Sequence, residues 1–189
     1  MSIYTINSET ELAGGAVADA DELVVYDADT KITKKVQMDS VRQYCGSGVV
    51  AIVATDALTP AEHANRTVTI AKLAGLTLTL PAATGTGDVY KIVVALTNTS
   101  SAYVIQVANA TDEFAGTVIQ TDADTSDTLA SYPALDADGF DTVTMDGSTK
   151  GGIIGDMYTF TDIAAGRFLI EGVVTCTGTA ASPLSAAVS

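Results

Sequence analysis

The sequence has no tryptophan, one histidine, two cysteines and four prolines in 189 residues, and only nine Lys and Arg against 23 Asp and Glu. Each shortage excludes something. One histidine (His63) and two cysteines (Cys45 and Cys176) are too few for a His- or Cys-cluster metal centre. A net charge of -14 leaves no basic patch for nucleic acid and repels an anionic membrane, so neither is expected as a partner. The longest apolar run, "VVAIVA" at 49–54, is far shorter than the roughly 20 residues that span a bilayer. The opening "MSIYTINSETEL" has no basic n-region and no apolar h-region, so no signal peptide is expected. The N-x-[ST] triplets at Asn65, Asn98 and Asn109 then read as chance in a Thr-rich chain, and the cysteines as free thiols of a reducing compartment. Without tryptophan, and with 6% aromatics, a sugar-stacking cleft is poorly provided for, although carboxylates for glycoside hydrolysis are plentiful.

What is present reads as β-structure. Val, Thr, Ala and Gly dominate, and long Lys/Glu-rich helical patterns are absent. "RTVTIAK" (66–72) and "LTLTLP" (76–81) alternate strictly, placing Val68, Ile70, Leu76, Leu78 and Leu80 on one face and threonines on the other. Further strands are expected at 115–120, 140–145, 153–160, 167–176 and 184–188. "VYKIVVALT" (89–97) and "AYVIQVAN" (102–109) flank the polar "NTSS" and read as a hairpin. Short strands with turns every eight to twelve residues predict an all-β fold, an antiparallel β-sandwich or jelly-roll-like domain.

Charge divides the chain. Lys31, Lys34, Lys35 and Arg42 are clustered, whereas no Lys or Arg occurs from Ile92 to Thr149. "CGSG" (45–48) reads as a joint, giving an N-terminal module at 1–47 and a β-sandwich domain at 48–189. In the first module, residues 23–26 and 32–36 form a hairpin around an Asp-rich turn, and Asp39 or Ser40 caps a short helix that Gly46 ends. Residues 1–18 carry no period and read as an extended arm. So small a module, poor in large apolar residues, is marginal alone and needs a partner surface.

Little catalytic chemistry is encoded. His63 lies in "PAEHANR" with no nucleophile or orienting group nearby, and reads as a surface histidine. "GTGDVY" (85–90) lacks the third glycine of a dinucleotide fingerprint and leads into a strand, so it reads as a turn. "DADTSD" (Asp122, Asp124, Asp127) and "DADGFD" (Asp136, Asp138, Asp141) superficially resemble calcium loops, but neither has Glu at the twelfth position; they read as solvated acids. No metal, no cofactor and no enzymatic activity are expected.

Three segments carry a resemblance. "DELVVYDADTKITKKVQMDSV" (21–41) resembles the N-terminal module of many tailed-bacteriophage virion proteins. "LTLPAATGTGDVYKIVVALTNTSSAYVIQVANATDEFAG" (78–116) and "GDMYTFTDIAAGRFLIEGVVTCTGTAASPLSA" (155–186) resemble the β-domain of phage head decoration, or cement, proteins. These segments cover about half the chain and share strand-and-turn patterns, not a catalytic signature; Phe168 stands where the family often has Trp. The resemblance implies a virion protein made in the host bacterial cytoplasm. It would form a homotrimer on the outside of an icosahedral capsid, bind the major capsid protein and stabilise the shell. Leu23, Val25, Tyr26 and Ile32 would then supply apolar anchoring area, and Lys31, Lys34, Lys35 and Arg42 would meet acidic groups on the shell. The alternative is a head-fibre or tail appendage domain that binds a host receptor or glycan, with Tyr132, Phe140 and Tyr158 around its pocket.

Overall fold

A computed structural model of the protein describes residues 22–37, 48–124 and 129–188. The expected arm at 1–18, the short helix after Asp39, Arg42, Cys45 and Asp127 lie outside the described residues. The chain divides into two units, Met1–Cys45 and Gly46–Ser189.

The first unit contains β1 (Glu22–Asp27) and β2 (Ile32–Gln37), which pair antiparallel around a turn at 28–31. The second contains β3 (Val49–Ile52), β4 (Asp56–Ala57), α1 (Pro60–His63), β5 (Arg66–Ile70), β6 (Thr77–Thr79), β7 (Val89–Val94), β8 (Tyr103–Gln106), β9 (Glu113–Asp122), β10 (Leu129–Ala134), β11 (Thr142–Met145), β12 (Met157–Ala164), β13 (Arg167–Cys176) and β14 (Leu184–Ser185). They form a seven-stranded sheet in the order β10-β9-β13-β12-β7-β5-β3 and a five-stranded sheet in the order β14-β11-β8-β6-β4. The two sheets pack into an all-β sandwich.

The pairing is mixed, not wholly antiparallel as the strand pattern suggested. From β3 to β8 the chain alternates between sheets. Each return places the new strand beside the previous one in the same sheet, parallel to it: β3, β5 and β7 on one side, β4, β6 and β8 on the other. β9 and β13 form a further parallel pair, in register from Glu113–Arg167 to Asp122–Cys176. The expected hairpin around "NTSS" is therefore corrected: β7 and β8 belong to opposite sheets. A polar turn serves either connection. The deciding residue is Asn98, buried at the corner, whose side-chain amide donates to the carbonyls of Ser101 and Met145 while its oxygen accepts the Ser100 N–H. The Tyr103 hydroxyl adds bonds to the Lys72 and Leu96 carbonyls.

Alternation sets the core. Val68, Ile70, Tyr90, Ile92, Phe114, Val118, Tyr158, Phe160, Phe168 and Ile170 point inward from the larger sheet to meet Leu78, Tyr103, Ile105, Val143 and Met145 from the smaller. Phe114 lies 5.2 Å from Phe160 between ring centroids, and Tyr90 meets Phe168 edge-on at 6.5 Å, within the range of favourable ring pairs. Phe168 thus serves as a sealed apolar anchor of the larger sheet.

Candidate functional site

The hairpin differs from every pair in the sandwich. Its register places Leu23, Val25, Ile32, Lys34 and Val36 on one face, and Glu22, Val24, Tyr26, Thr33, Lys35 and Gln37 on the other. Side chains on both faces are exposed: Leu23, Val24, Tyr26 and Ile32 are 47%, 60%, 67% and 54% exposed, and Val25 and Val36 are half-buried. A two-stranded ribbon alone is marginal in water, and exposed apolar area of this kind signals an interaction surface.

The lysines are distributed around this surface. Lys31 sits in the turn with φ 55°, a left-handed conformation that costs a non-glycine residue about 1–2 kcal/mol. Lys35 forms an ion pair with Glu22 on its own face. Lys34 projects from the opposite face, between the apolar residues 23, 25, 32 and 36. The anchoring residues expected from the sequence are therefore split: Leu23, Val25, Ile32 and Lys34 share one face, while Tyr26 and Lys35 share the other. Val24 and Val36 complete the two apolar patches. Strict alternation within "ELVVYD" and "ITKKVQ" carries the signal for this division, since adjacent lysines in a strand must point apart.

The other candidate residues resolve differently. His63 is buried, not at the surface. Its Nδ1 accepts the Thr59 N–H at 2.9 Å, which leaves the proton on Nε2, 3.8 Å from an Asp56 carboxylate oxygen. Its polar neighbours in sequence concealed a one-turn helix that folds the ring back over its own start. Of the expected pocket aromatics, Tyr158 is sealed in the core, and Tyr132 and Phe140 pack against it.

Nor are the acids all solvated. Asp122 and Asp141 are buried, whereas Asp124, Asp136 and Asp138 are exposed. Asp141 accepts the N–H groups of Ala187 and Val188, Asp138 accepts that of Leu135, and Asp136 pairs with Arg167. Among the described residues, no three His, Cys, Asp or Glu groups are arranged to hold a metal ion. The Cys176 thiol is free and buried, and burial, with Asp122 and Asp124 adding, pushes it up. Among the described residues no helix is long and apolar enough to cross a membrane.

Buried carboxylates instead clamp loops of the sandwich. Asp162 accepts the N–H groups of Thr84, Gly85 and Thr86 at 2.7–3.1 Å, together with the hydroxyls of Thr84 and Thr86. Burial alone would push its carboxyl up, but these donors hold it below the usual carboxylate range. The "GTGDVY" turn is thus an oxyanion-like nest already filled by the protein's own carboxylate. Asp156 accepts the Gly152, Ile153 and Thr175 N–H groups, yet burial raises its carboxyl above the usual value. Asp112 accepts from Ala83 and Asn109. Sequence reasoning missed all three, because residues 84–86, Ala83 and Thr175, which Asp162, Asp112 and Asp156 bind, are distant in the chain.

No protein-family model matches the chain, and no curated protein is significantly similar to it.

Proposed function

We propose that the protein is a structural component of a phage virion that binds the outer surface of an icosahedral capsid and stabilises it, with the β1–β2 hairpin as its docking element. One observation carries this reading: the hairpin exposes apolar side chains on both faces and bears three lysines in a chain of net charge -14. Such a surface fits an acidic, partly apolar patch repeated over a shell. Apolar contact supplies affinity, and the lysines supply orientation and encounter rate. A lattice multiplies a modest contact through avidity, and a ligand that binds only the closed shell stabilises it by mass action. The resemblance of residues 21–41, 78–116 and 155–186 to phage decoration proteins supports the same reading, and no catalytic step is needed for it.

The test is incubation with undecorated capsids followed by sedimentation. Saturable pelleting at a fixed ratio to shell protein, with raised thermal stability of the shell, is the expected result. Failure to pellet, with binding to host cells or glycans instead, would overturn it in favour of a receptor-binding appendage.

A further inference from the structure

The outward face of the seven-stranded sheet has its own pattern, separate from the hairpin. Strand registers arrange it in rows. One row runs Ile119, Val173, Met157, Val93, Thr69 from β9 to β5. The next runs Thr117, Glu171, Thr159, Lys91, Thr67, and a third runs Ala115, Leu169, Thr161, Val89. Val173 is 54% exposed and Ile119 40%, and Lys91 and Glu171 are exposed as well. The charged residues that the strands of this sheet turn outward are Lys91 and Arg167 against Glu113 and Glu171, so the strands add no net charge to this face of a strongly acidic chain.

We infer that this face pairs with the same face of a second copy of the chain, across a two-fold axis lying along β12. β12 is the fourth of seven strands. Glu171 and Lys91 flank its Thr159, one strand away on either side, roughly 10 Å apart at the usual strand spacing. A two-fold axis along the central strand keeps each row over itself and exchanges its two sides. Lys91 of each copy then faces Glu171 of the other, twice. Val173 meets Val93, Leu169 meets Val89, and Met157 meets its own counterpart.

An axis across the strands would instead set Lys91 on Lys91 and Glu171 on Glu171, so the charges select the first arrangement. A depression of about 510 Å³, lined by Thr117, Ile119, Met157, Leu169, Glu171 and Val173, lies on the side where the second copy's Lys91 arrives. Its apolar floor suits the lysine stem and its Glu171 rim suits the ammonium group. The first two rows continue to β10 and β3 and the third covers four strands, a face of roughly 600 Å² at the usual spacings. Full contact of two such faces would bury about 1,200 Å², the lower end for a stable interface. The twist of aligned sheets, about 30°, keeps these contacts closest near the axis. The pairing does not depend on capsid docking, and it gives two copies where the phage resemblance implies three.

Light scattering and sedimentation equilibrium of the full chain test it. The expected mass is twice the chain mass of 19.3 kDa. Lys91→Glu and Glu171→Lys should each raise the dimer dissociation constant about tenfold or more, because like charges then face each other twice. The combined swap Lys91→Glu/Glu171→Lys should restore the dimer, with circular dichroism unchanged throughout. A wild-type chain of one or three copies, or a double swap no more dimeric than the single variants, would overturn the pairing.

Discussion

The β1–β2 hairpin and the β12–β13 pair are both antiparallel ribbons with alternating side chains, and they use that alternation in opposite ways. In β12–β13, residues 158, 160, 162, 168, 170, 172, 174 and 176 are buried while their neighbours face outward. In β1–β2 the apolar residues fall on both sides, and no described side chain is buried. Alternation defines which residues share a face. Whether that face becomes core depends on a second layer, which the five-stranded sheet provides for β12–β13.

The largest expected effect breaks or upholds this contrast directly. Phe168 is fully buried against Tyr90, so Phe168→Ala should lower stability by about 3–5 kcal/mol in urea unfolding followed by near-UV circular dichroism. Tyr26→Ala, at an exposed ring, should change sandwich unfolding by less than about 0.5 kcal/mol. A comparable loss in both would show that the hairpin aromatic is core after all.

Gly172 sharpens the comparison within the sandwich. It lies inward on β13 opposite Tyr158, and a Cβ there would come within 2.8 Å of the Tyr158 ring and 2.9 Å of Val118. Gly172→Ala should cost about 1–3 kcal/mol by overpacking, read as a lower urea midpoint at unchanged slope. A hairpin position has no such neighbour to displace.

Three carboxylates of the sandwich give it a pH signature. The Asp162 carboxyl is depressed in the folded state, so its contribution is present above the unfolded value of about 3.8 and is lost as pH falls through the folded one. Asp146, an exposed carboxyl, is held down against partial desolvation by hydrogen bonds from Lys150, Thr149 and Ser148, and has the same sign. Asp156 is raised, so its contribution is complete below the unfolded value and falls as pH rises through the folded one, opposing the other two. Asp162→Asn should therefore be least stable relative to wild type at neutral pH, with the gap narrowing below about pH 3.8 as the wild-type carboxylate takes up its proton. A gap constant from pH 7 to pH 2.5 would refute the clamp. Thermal melts across that range measure it.

Particular residues show how far the chain could be read from its letters. Val68, Ile70, Leu78 and Leu80 lie inward as alternation requires, and the strand expected at 167–176 is the observed β13. Which sheet each strand joins was not legible. Alternation specifies a face but not a neighbour, so the parallel returns of β5 and β7, and the Asn98 corner that sends β8 to the other sheet, have no local mark. Asp162 looks like any surface acid until residues 84–86 fold over it. Within the hairpin the pairing was legible from the turn chemistry, while the exposure of Val24 and the separation of Lys34 from Lys35 needed the register.

That separation supports the smallest and most informative comparison. Lys34 and Lys35 are adjacent and equally charged, but they belong to opposite faces, one among Leu23, Val25, Ile32 and Val36, the other beside Glu22, Val24 and Tyr26. If the hairpin docks with one face, the two lysines cannot contribute equally. Lys34→Glu should weaken capsid docking by roughly two- to fivefold at low salt if the leucine-bearing face is the contact, and Lys35→Glu should then have little effect; the reverse assigns the tyrosine-bearing face. Both variants should leave sandwich stability unchanged. The effect should shrink as salt rises, because exposed charges are screened within about 10 Å at 0.1 M. Changing Lys31, Lys34 and Lys35 together to Glu should produce the sum and reverse the salt dependence, because added salt then screens a repulsion. Docking unaltered by the triple change at every salt concentration would remove the lysines from the mechanism, leaving the apolar residues as its basis. A Leu23→Asp variant against a Tyr26→Asp variant would then identify the face.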